Sequence, residues 1–164
     1  MIRLRALEPS DLDTVYRWEN DPANWPAGNT SAPLSRFQLE EYIKNYSSDI
    51  FNDRQLRLII EEDGQAVGTL DLFDFDARNS RTSLGILVAA PFRRRGIASV
   101  ALRQAEDYCR RTLNLHQIWV TVSQENTASL ALFKLLGYTT SGRFRSWLRV
   151  GRRYLDAILL QRFL

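Results

Sequence analysis

The chain switches between two hydrophobic patterns, one typical of helices and one typical of strands. Apolar residues three or four positions apart predict helices with one buried face, at 8–20, 35–46, 96–112 and 126–137. Alternating residues and short apolar runs predict strands, at 2–7, 55–62, 65–75, 81–89, 116–123, 138–150 and 152–163. The order of the predicted elements is therefore β α α β β β α β α β β.

Turn and capping residues mark where several of these elements begin and end. Ser10 is predicted to cap the first helix, with Asp13 supporting its first turn. Asn126 is predicted to cap the last helix and Gly137 to end it. The segment 21–33 is rich in Pro, Gly, Asn and Ser, which predicts a loop between the first two helices.

The connections between the strands predict a mixed sheet. Asp63-Gly64 and Gly151 provide tight turns between strands, so those strand pairs are antiparallel. The strand–helix–strand unit over 82–123 implies a right-handed parallel crossover. We therefore expect an α/β (α+β) fold of three layers, a mixed central sheet of about seven strands with helices on both faces. The length of 164 residues favours a single domain over 1–164.

Composition narrows the class of protein. An apolar share of 45% with 11% aromatic residues fits a soluble globular chain. No apolar run approaches the roughly 18–20 residues that cross a bilayer, and the N-terminus lacks the apolar middle of a signal peptide, so we expect a cytoplasmic protein with no membrane partner. The single cysteine, Cys109, falls on the apolar stripe of a predicted helix and is interpreted as a core residue.

The charge balance bears on nucleic-acid binding. The net charge is +3 and the pI about 9.3, but the basic residues are spread along the chain, with local clusters only at 93–95 and 143–153. Nucleic-acid binding needs a concentrated basic face. We therefore expect no nucleic-acid partner. A nucleic-acid-binding domain is kept as an alternative function.

The stretch PFRRRGIAS, at 91–99, lies between a predicted strand and a predicted helix. The first N–H groups of a helix have no partner within the helix and carry partial positive charge, and Gly96 allows a positive φ or the close approach of a ligand. With Arg93, Arg94 and Arg95, these features suit a pyrophosphate. A solvated basic turn is the alternative. The chain has neither G-x-x-x-x-G-K-[ST] nor G-x-G-x-x-G, so no P-loop and no dinucleotide fold is indicated.

The second half of the chain resembles the GNAT superfamily of N-acetyltransferases. The residues that carry the resemblance are Arg93-x-x-Gly96-x-Ala98 after one strand and Val122-x-x-x-Asn126-x-x-Ser129-x-x-x-Phe133-x-x-x-Gly137-Tyr138 after the next. The element order matches that of the family over the whole chain, which implies the acyl-CoA N-acyltransferase (GNAT) fold. The two ends of the chain look like the branch that acetylates spermidine and the N-terminal amines of ribosomal proteins.

The resemblance implies acetyl-CoA as cosubstrate and transfer of its acetyl group to a primary amine within a ternary complex. Main-chain N–H groups of 94–98 would hold the pyrophosphate, Leu87 and Val88 would pair with the pantetheine arm, and Asn126 would reach that arm. The residues expected at the cosubstrate are Leu87, Val88, Arg93, Arg94, Arg95, Gly96, Ile97, Ala98, Ser99, Asn126, Ser129 and Phe133. The family often has Gly where Arg94 stands, and we expect Arg94 to offer its N–H with a negative φ.

Proton transfer is where this chain departs from the family it resembles. In that branch a tyrosine donates a proton to the leaving sulfur, but the matching position here is Phe133, which has no proton to donate. Ser129 or a water molecule is our first choice for this role. A tyrosine from elsewhere is the alternative, namely Tyr42, Tyr46, Tyr138 or Tyr154.

The proton acceptor is also missing from its usual place, because Ser83 stands where relatives often carry Glu. Asp71 is our candidate, and an exposed strand-end carboxylate without a catalytic role is the alternative. Strand alternation predicts Asp74 and Asp76 on one face of the sheet and Asp71 on the other.

In this family, the pocket for the acceptor amine is built by the loop between the first two helices and by the last hairpin. Glu19, Asp21 and Trp25 in this loop suit a cationic amine, and Asp74 is a further candidate. The basic hairpin at 143–153 favours an acidic peptide instead, so both a small amine such as a polyamine and a protein N-terminus stay open.

Three further expectations complete the functional hypothesis. We expect no metal site, and we keep a homo-oligomer open. Because Phe133 and Ser83 lack the usual catalytic groups, a CoA-binding module with little or no turnover is the alternative function.

Overall fold

The computed structural model describes residues 1–25 and 31–164, and it shows a seven-stranded sheet with helices on both faces. The strands are β1 (Ile2–Ala6), β2 (Leu56–Glu62), β3 (Gln65–Asp76), β4 (Arg81–Val88), β5 (Gln117–Ser123), β6 (Thr139–Val150) and β7 (Arg153–Phe163). The α-helices with described bounds are α1 (Leu12–Glu19), α2 (Arg36–Lys44), α3 (Ile50–Asp53), α4 (Ile97–Arg111) and α5 (Thr127–Leu135). Part of the loop predicted at 21–33, residues 26–30, lies outside the described residues.

The strands follow the order β1-β2-β3-β4-β5-β7-β6 across the sheet. The pair β4–β5 is parallel, and all other neighbouring strands are antiparallel. The helix α4 connects the two parallel strands, which corresponds to the crossover unit predicted at 82–123. The predicted mixed sheet of about seven strands in a three-layer fold is confirmed.

The two faces of the sheet pack against different helices. On one face, α1 and α2 bury Val15 and Leu39 against Ile59 of β2. On the other face, α4 and α5 bury Leu102 and Phe133 in a larger cluster that includes Ile60. Neighbouring residues of β2 therefore serve opposite layers, because successive strand side chains point to opposite faces. The face covered by α1 and α2 is called the α1 face below.

A gap opens between β4 and β5, the two central strands. They pair only at their beginnings, from Arg81 opposite Gln117 to Ser83 opposite Trp119. Beyond Ser83, β4 continues to Val88 and stays paired with β3, but it has no partner on its β5 side. An extended ligand can bond to a strand edge of this kind, because its main-chain groups have no strand partner. Of the groups on this edge of β4, the Val88 carbonyl already accepts a bond from Arg93 Nε at 2.8 Å.

The start of the first helix differs from the prediction. Ser10 lies inside a 3-10 turn, Pro9–Asp11, and α1 begins at Leu12. The N-cap of this turn is Glu8, and the carboxylate of Asp11, three residues later, accepts the Glu8 N–H at 2.9 Å. The prediction of Ser10 as N-cap is therefore wrong. The prediction for Asn126 is confirmed, because its side chain accepts the Ser129 N–H at 3.1 Å.

Two local features were not predicted from the sequence. The helix α3 has only four residues, too few for a recognisable period, and the Asp49 side chain caps it. In β3 a bulge follows Phe73, and Asp74 adopts a left-handed φ of 50°. This extra residue shifts the alternation by one position. The prediction that Asp71 lies on the opposite face from Asp74 and Asp76 is wrong, because all three line cavities on the α1 face.

Candidate active site

The turn between β4 and α4 presents a row of unused main-chain donors. Within the described part of the chain, no acceptor lies within hydrogen-bond distance of the six N–H groups from Arg94 to Ser99, whereas the N–H groups of Phe92 and Arg93 bond back to Ala89 and Ala90. Gly96 precedes the helix with a φ of 78°. A Cβ built on it meets no atom within 4 Å, so the turn is open on that side. Convergent N–H groups at a helix N-terminus form an anion site.

Arg94 has a positive φ of 62°. The expectation of a negative φ at this position is therefore wrong. The turn thus has an extended residue at Arg93 and left-handed residues at Arg94 and Gly96. Such turns aim successive N–H groups toward one point. A glycine is the residue that adopts this φ most readily, which is the physical reason for the family preference that this chain lacks.

The three arginine side chains have different surroundings. Arg93 donates from Nε to the Val88 carbonyl at 2.8 Å and from Nη2 to Asn24 at 3.1 Å. Arg95 forms an ion pair with Glu62 at 2.9 Å. The Arg94 side chain is exposed and has no such partner among the described residues. Among the described contacts only Arg95 meets a carboxylate, so its charge is offset, whereas Arg93 bonds to neutral oxygens and keeps its positive charge at the turn.

The gap between β4 and β5 continues from this turn. The Ala89 N–H donates to Val67 of β3 at 2.9 Å. By the alternation of an antiparallel ladder, Leu87 then bonds to β3, while the main-chain groups of Ile86 and Val88 point into the gap. The predicted main-chain pairing thus shifts from Leu87 to Ile86, and the Leu87 side chain lines the cavity instead.

A cavity of about 440 Å³ lies on the α1 face over this gap. Its walls come from α1, the following loop, α2, β2, β3, β4 and β5; among them are Glu19, Trp25, Tyr42, Arg57, Asp71, Leu84, Gly85, Ile86, Leu87 and Thr121. Glu19, Trp25 and Asp71 were predicted site residues, and the structure brings them together. Trp25 donates from its indole nitrogen to the Glu19 carbonyl at 2.8 Å, so it also holds the loop against α1.

One residue of this wall, Arg57, was missed by the sequence interpretation. Its guanidinium contacts both oxygens of Asp71, at 2.7 and 3.0 Å, and Glu19 at 2.6 Å. Burial is the largest single effect and opposes its charge, but the attraction and hydrogen bonds of Asp71, together with the attraction of Glu19, outweigh burial and raise the pKa of Arg57, so it stays protonated. The only sequence signal is a charged residue between the apolar residues of "LRLII". The wall has two carboxylates and one guanidinium, a net charge of −1.

Asp74 lies in a neighbouring cavity of about 710 Å³ on the same face. That cavity also contains Trp119 and Phe144, and it shares Gln55 and Phe73 with the first. Asp74 is therefore separated from Glu19 and Trp25, with which the sequence interpretation had grouped it as an acceptor residue.

The comparison with known families decides what kind of protein this is. A family model described as an acetyltransferase (GNAT) domain matches residues 2–139, which is most of the chain. The chain belongs to the GNAT family. The resemblance drawn from the two motifs is confirmed, and with it the predicted enzyme class, an acetyl-CoA-dependent N-acyltransferase.

Individual GNAT relatives cover nearly all of the chain. A spermidine N(1)-acetyltransferase of Escherichia coli K12 is 24% identical over 164 residues, 96% of this chain and 83% of the relative. A putative ribosomal N-acetyltransferase of Bacillus subtilis is 26% identical over 161 residues, 96% of this chain and 88% of the relative. The crystal structure of Vibrio cholerae spermidine N-acetyltransferase with CoA and spermine superposes with a TM-score of 0.90 at 24% identity, over 99% of this chain and 95% of that one.

In this GNAT chain, the position of the usual proton donor lies in the core. Phe133 is only 4% exposed, and its ring packs edge-on against Tyr138 at 5.0 Å between centroids. It does not line the described cavity. This placement makes Phe133 a packing residue, and its contact with the cosubstrate stays a prediction. Ser129 lies at the start of α5, where its N–H is bonded to Asn126.

The tyrosines named as alternatives occupy different places. Tyr138 is buried, and burial raises the pKa of its hydroxyl. Tyr154 is 61% exposed and lines neither of the two cavities. Tyr46 bonds to the main chain of Arg57. Only Tyr42 lines the cavity over the gap; burial raises its pKa to about 12, so its hydroxyl keeps its proton at neutral pH.

Three remaining expectations concern cysteine chemistry, metals and membranes. Cys109 is buried in the core, and burial raises the pKa of its thiol to about 12, which suppresses the thiolate. In residues 1–25 and 31–164, no group of three or more His, Cys, Asp or Glu is arranged to hold a metal ion. None of the helices in this part of the chain has the length and apolar character that a membrane crossing needs.

Proposed function

We propose that this protein transfers the acetyl group of acetyl-CoA to a cationic primary amine, and that a polyamine is its preferred acceptor. The row of six N–H groups at 94–99, next to the open edge of β4, carries the first part of the proposal. A pyrophosphate fits the turn because these donors form no hydrogen bonds within residues 1–25 and 31–164 and lie at a helix N-terminus. Ile86 and Val88 would bond to the pantetheine arm, and the Asn126 amide nitrogen would contact it from α5.

The charge of the cavity wall supports a cationic acceptor. Glu19, Arg57 and Asp71 together carry −1, so an ammonium is attracted and a carboxylate repelled. The basic hairpin favoured an acidic peptide in the sequence, but part of its charge is neutralised. Arg143 pairs with Asp156 at 3.3 Å and Arg153 with Glu125 at 3.2 Å. The spermidine acetyltransferases among the relatives support the same choice.

The amine must lose a proton before its nitrogen forms a bond to the acetyl carbon. Holding a lysine-like amine neutral at pH 7 costs about 4.6 kcal/mol, from a pKa near 10.4. Asp71 would accept this proton directly or through a water molecule. As the carbon–sulfur bond breaks, the sulfur leaves as a thiolate, which is stable enough to need little help from an acid. Water or Ser129 would return a proton to it, since Phe133 has none to give.

The experiment is a turnover assay with acetyl-CoA and a panel of amines, in which the free thiol of CoA is measured. The panel contains spermidine, a peptide with a free N-terminus and an acidic N-terminal residue, and an uncharged aromatic amine. We expect the highest kcat/KM for spermidine. Tight CoA binding without release of thiol from any amine would support a CoA-binding module instead. A higher kcat/KM for the peptide would mean that the acceptor is a protein N-terminus.

We further propose that the protein self-associates through β6, the exposed edge strand. Phe144 and Trp147 stack there at 4.8 Å, and Trp147 is 61% exposed. An edge strand offers unpaired main-chain N–H and C=O groups to another chain. A Vibrio cholerae spermidine N-acetyltransferase has a dodecameric structure. Sedimentation velocity of the Trp147→Glu variant should show a smaller particle than the wild type, and an unchanged particle mass would contradict an interface at β6.

A further inference from the structure

A single row of side chains leads across the sheet from β2 to the gap. Arg57 on β2 lies opposite Asp71 on β3, and Asp71 lies opposite Gly85 on β4. Gly85 has no side chain, so the space beside the Asp71 carboxylate stays open toward the gap. A Cβ on Gly85 would approach the Phe73 ring at 3.3 Å. In this row Asp71 is the charged group nearest the gap, and Arg57 is the group behind it.

Arg57 is held at both ends. Its main-chain N–H and C=O extend beyond the last residue pair of β1 and β2, Ala6 opposite Leu58. The Tyr46 hydroxyl takes the place of the missing strand, because it accepts the Arg57 N–H and donates to the Arg57 carbonyl at 3.2 Å. At the other end, all three guanidinium nitrogens donate to carboxylates, Nε and Nη2 to Asp71 and Nη1 to Glu19.

The two carboxylates need a cation between them. Glu19 is the last residue of α1, where the partial negative charge of the helix end disfavours another negative charge. Asp71 faces it from β3, and two like charges at close range repel each other. Arg57 offsets both effects. Its planar fork also fixes the orientation of Asp71, which a point charge does not do.

We propose that Arg57 is a positioning residue for the acceptor amine, acting through Asp71 and Glu19. It holds the two carboxylates so that their unused lone pairs face the gap and the pair presents one net negative charge. The acceptor class that fits is a primary amine that enters as an ammonium. This inference rests on the proposed function.

The test uses Arg57→Gln, Arg57→Lys and a control, Arg3→Gln, which removes another arginine–carboxylate contact, the one from Arg3 to Glu61. For each variant, kcat and KM for spermidine are measured from pH 6 to 9 at saturating acetyl-CoA. The KM for acetyl-CoA and the melting temperature are measured beside them. Spermidine binding to the CoA-saturated protein is measured by calorimetry.

We expect Arg57→Gln to lower kcat/KM for spermidine by about 100-fold, the loss typical of a reacting group displaced by an ångström. The KM for acetyl-CoA should stay within about twofold. Arg57→Lys should recover only part of the loss, because lysine keeps the charge without the fork. Arg3→Gln should keep wild-type kinetics.

Several results would overturn the inference. They are an unchanged kcat/KM in Arg57→Gln, full activity in Arg57→Lys, or an equal loss in Arg3→Gln. If Arg57→Gln does not fold, Arg57→Lys decides alone, because full activity contradicts positioning by the fork. The proposed function fails separately, if the wild type shows no turnover. In that case calorimetry decides, since weaker spermidine binding in Arg57→Lys supports positioning and equal binding contradicts it.

Discussion

The two halves of the candidate site are built in different ways. The turn at 94–99 is a run of consecutive residues that offers main-chain N–H groups. The second half, called the acceptor wall below, is the part of the cavity wall proposed to face the amine. It combines side chains from α1, β2 and β3, namely Glu19, Arg57 and Asp71. The turn depends on backbone conformation, whereas the wall depends on the register of two strands and the position of a helix. Substitutions should therefore affect the two halves by different rules.

The difference is visible at Arg94. In the turn, an arginine with a φ of 62° replaces the glycine common in the family, and its N–H makes no hydrogen bond within the described residues. In the wall, each side chain has a specific hydrogen-bond partner, at 2.6 to 3.0 Å. A main-chain site therefore tolerates changes of side chain that a side-chain site does not.

The largest effect is expected at the wall, from Asp71→Asn. Loss of the proton acceptor should lower kcat/KM for spermidine by about 10²- to 10⁴-fold, while the affinity for CoA stays unchanged. Steady-state kinetics and CoA titration measure both. Asp74→Asn, on the same strand but in the neighbouring cavity, is the matched control and should stay within about threefold. An equal loss in Asp74→Asn would mean that the acceptor amine binds in that neighbouring cavity.

In the turn, the decisive change is Gly96→Glu. A glutamate adds a negative charge among the phosphate-binding donors and strains a backbone with a φ of 78°. We expect at least a 100-fold weaker Kd for CoA by calorimetry, or about 2.7 kcal/mol. Gly151→Glu is the control, because Gly151 has a φ of 61° and equally open space in the distant β6–β7 turn. A similar loss in both variants would show that strain, and not the phosphate site, is responsible.

Phe133→Tyr separates packing from catalysis. The new hydroxyl would be buried against Tyr138 and should cost about 1–3 kcal/mol of unfolding free energy if it finds no partner. The rate should not rise, because Phe133 does not line the cavity. Urea unfolding and turnover measure the two quantities, with Phe37→Tyr, 70% exposed, as the control. A marked rise in kcat would place the sulfur beside residue 133.

The smallest effect is expected from Arg94→Gly, which removes a charge but keeps the N–H group. An exposed charge contributes about 0–1 kcal/mol, so the Kd for CoA should weaken by no more than about fivefold. The protein should become slightly more stable, because glycine relieves the positive φ. A loss as large as that of Gly96→Glu would mean that the Arg94 side chain, and not the main chain, binds the phosphates.

The sequence predicted those features that depend on neighbouring residues. The strand–turn–helix at 91–99 and the cap at Asn126 are local, and both formed as predicted. Ser10 was a misleading signal, because the turn begins two residues earlier, at the N-cap Glu8, whose N–H bonds to the Asp11 carboxylate. The bulge at Asp74 placed Asp74 and Asp76 on the same face as Asp71, since one extra residue is enough to change the alternation.

The acceptor wall could be predicted only in part. Glu19 and Asp71 were named as separate candidates, but nothing in the sequence connects them, because 51 residues separate them along the chain. Arg57 joins them only through the register of β2 against β3, which periodicity does not specify. A charged residue inside an apolar strand is a useful signal, but its partner has to come from the structure.

The central claim is that main-chain amides of the β4–α4 turn bind the cosubstrate. The most direct test is a titration of the ¹⁵N-labelled protein with CoA, followed by two-dimensional NMR of the backbone amides. The account predicts that the amide signals of residues 94–99 shift most, with smaller changes at Ile86 and Val88. If CoA binds while the amides of 94–99 keep their positions, the site lies elsewhere and the account is contradicted.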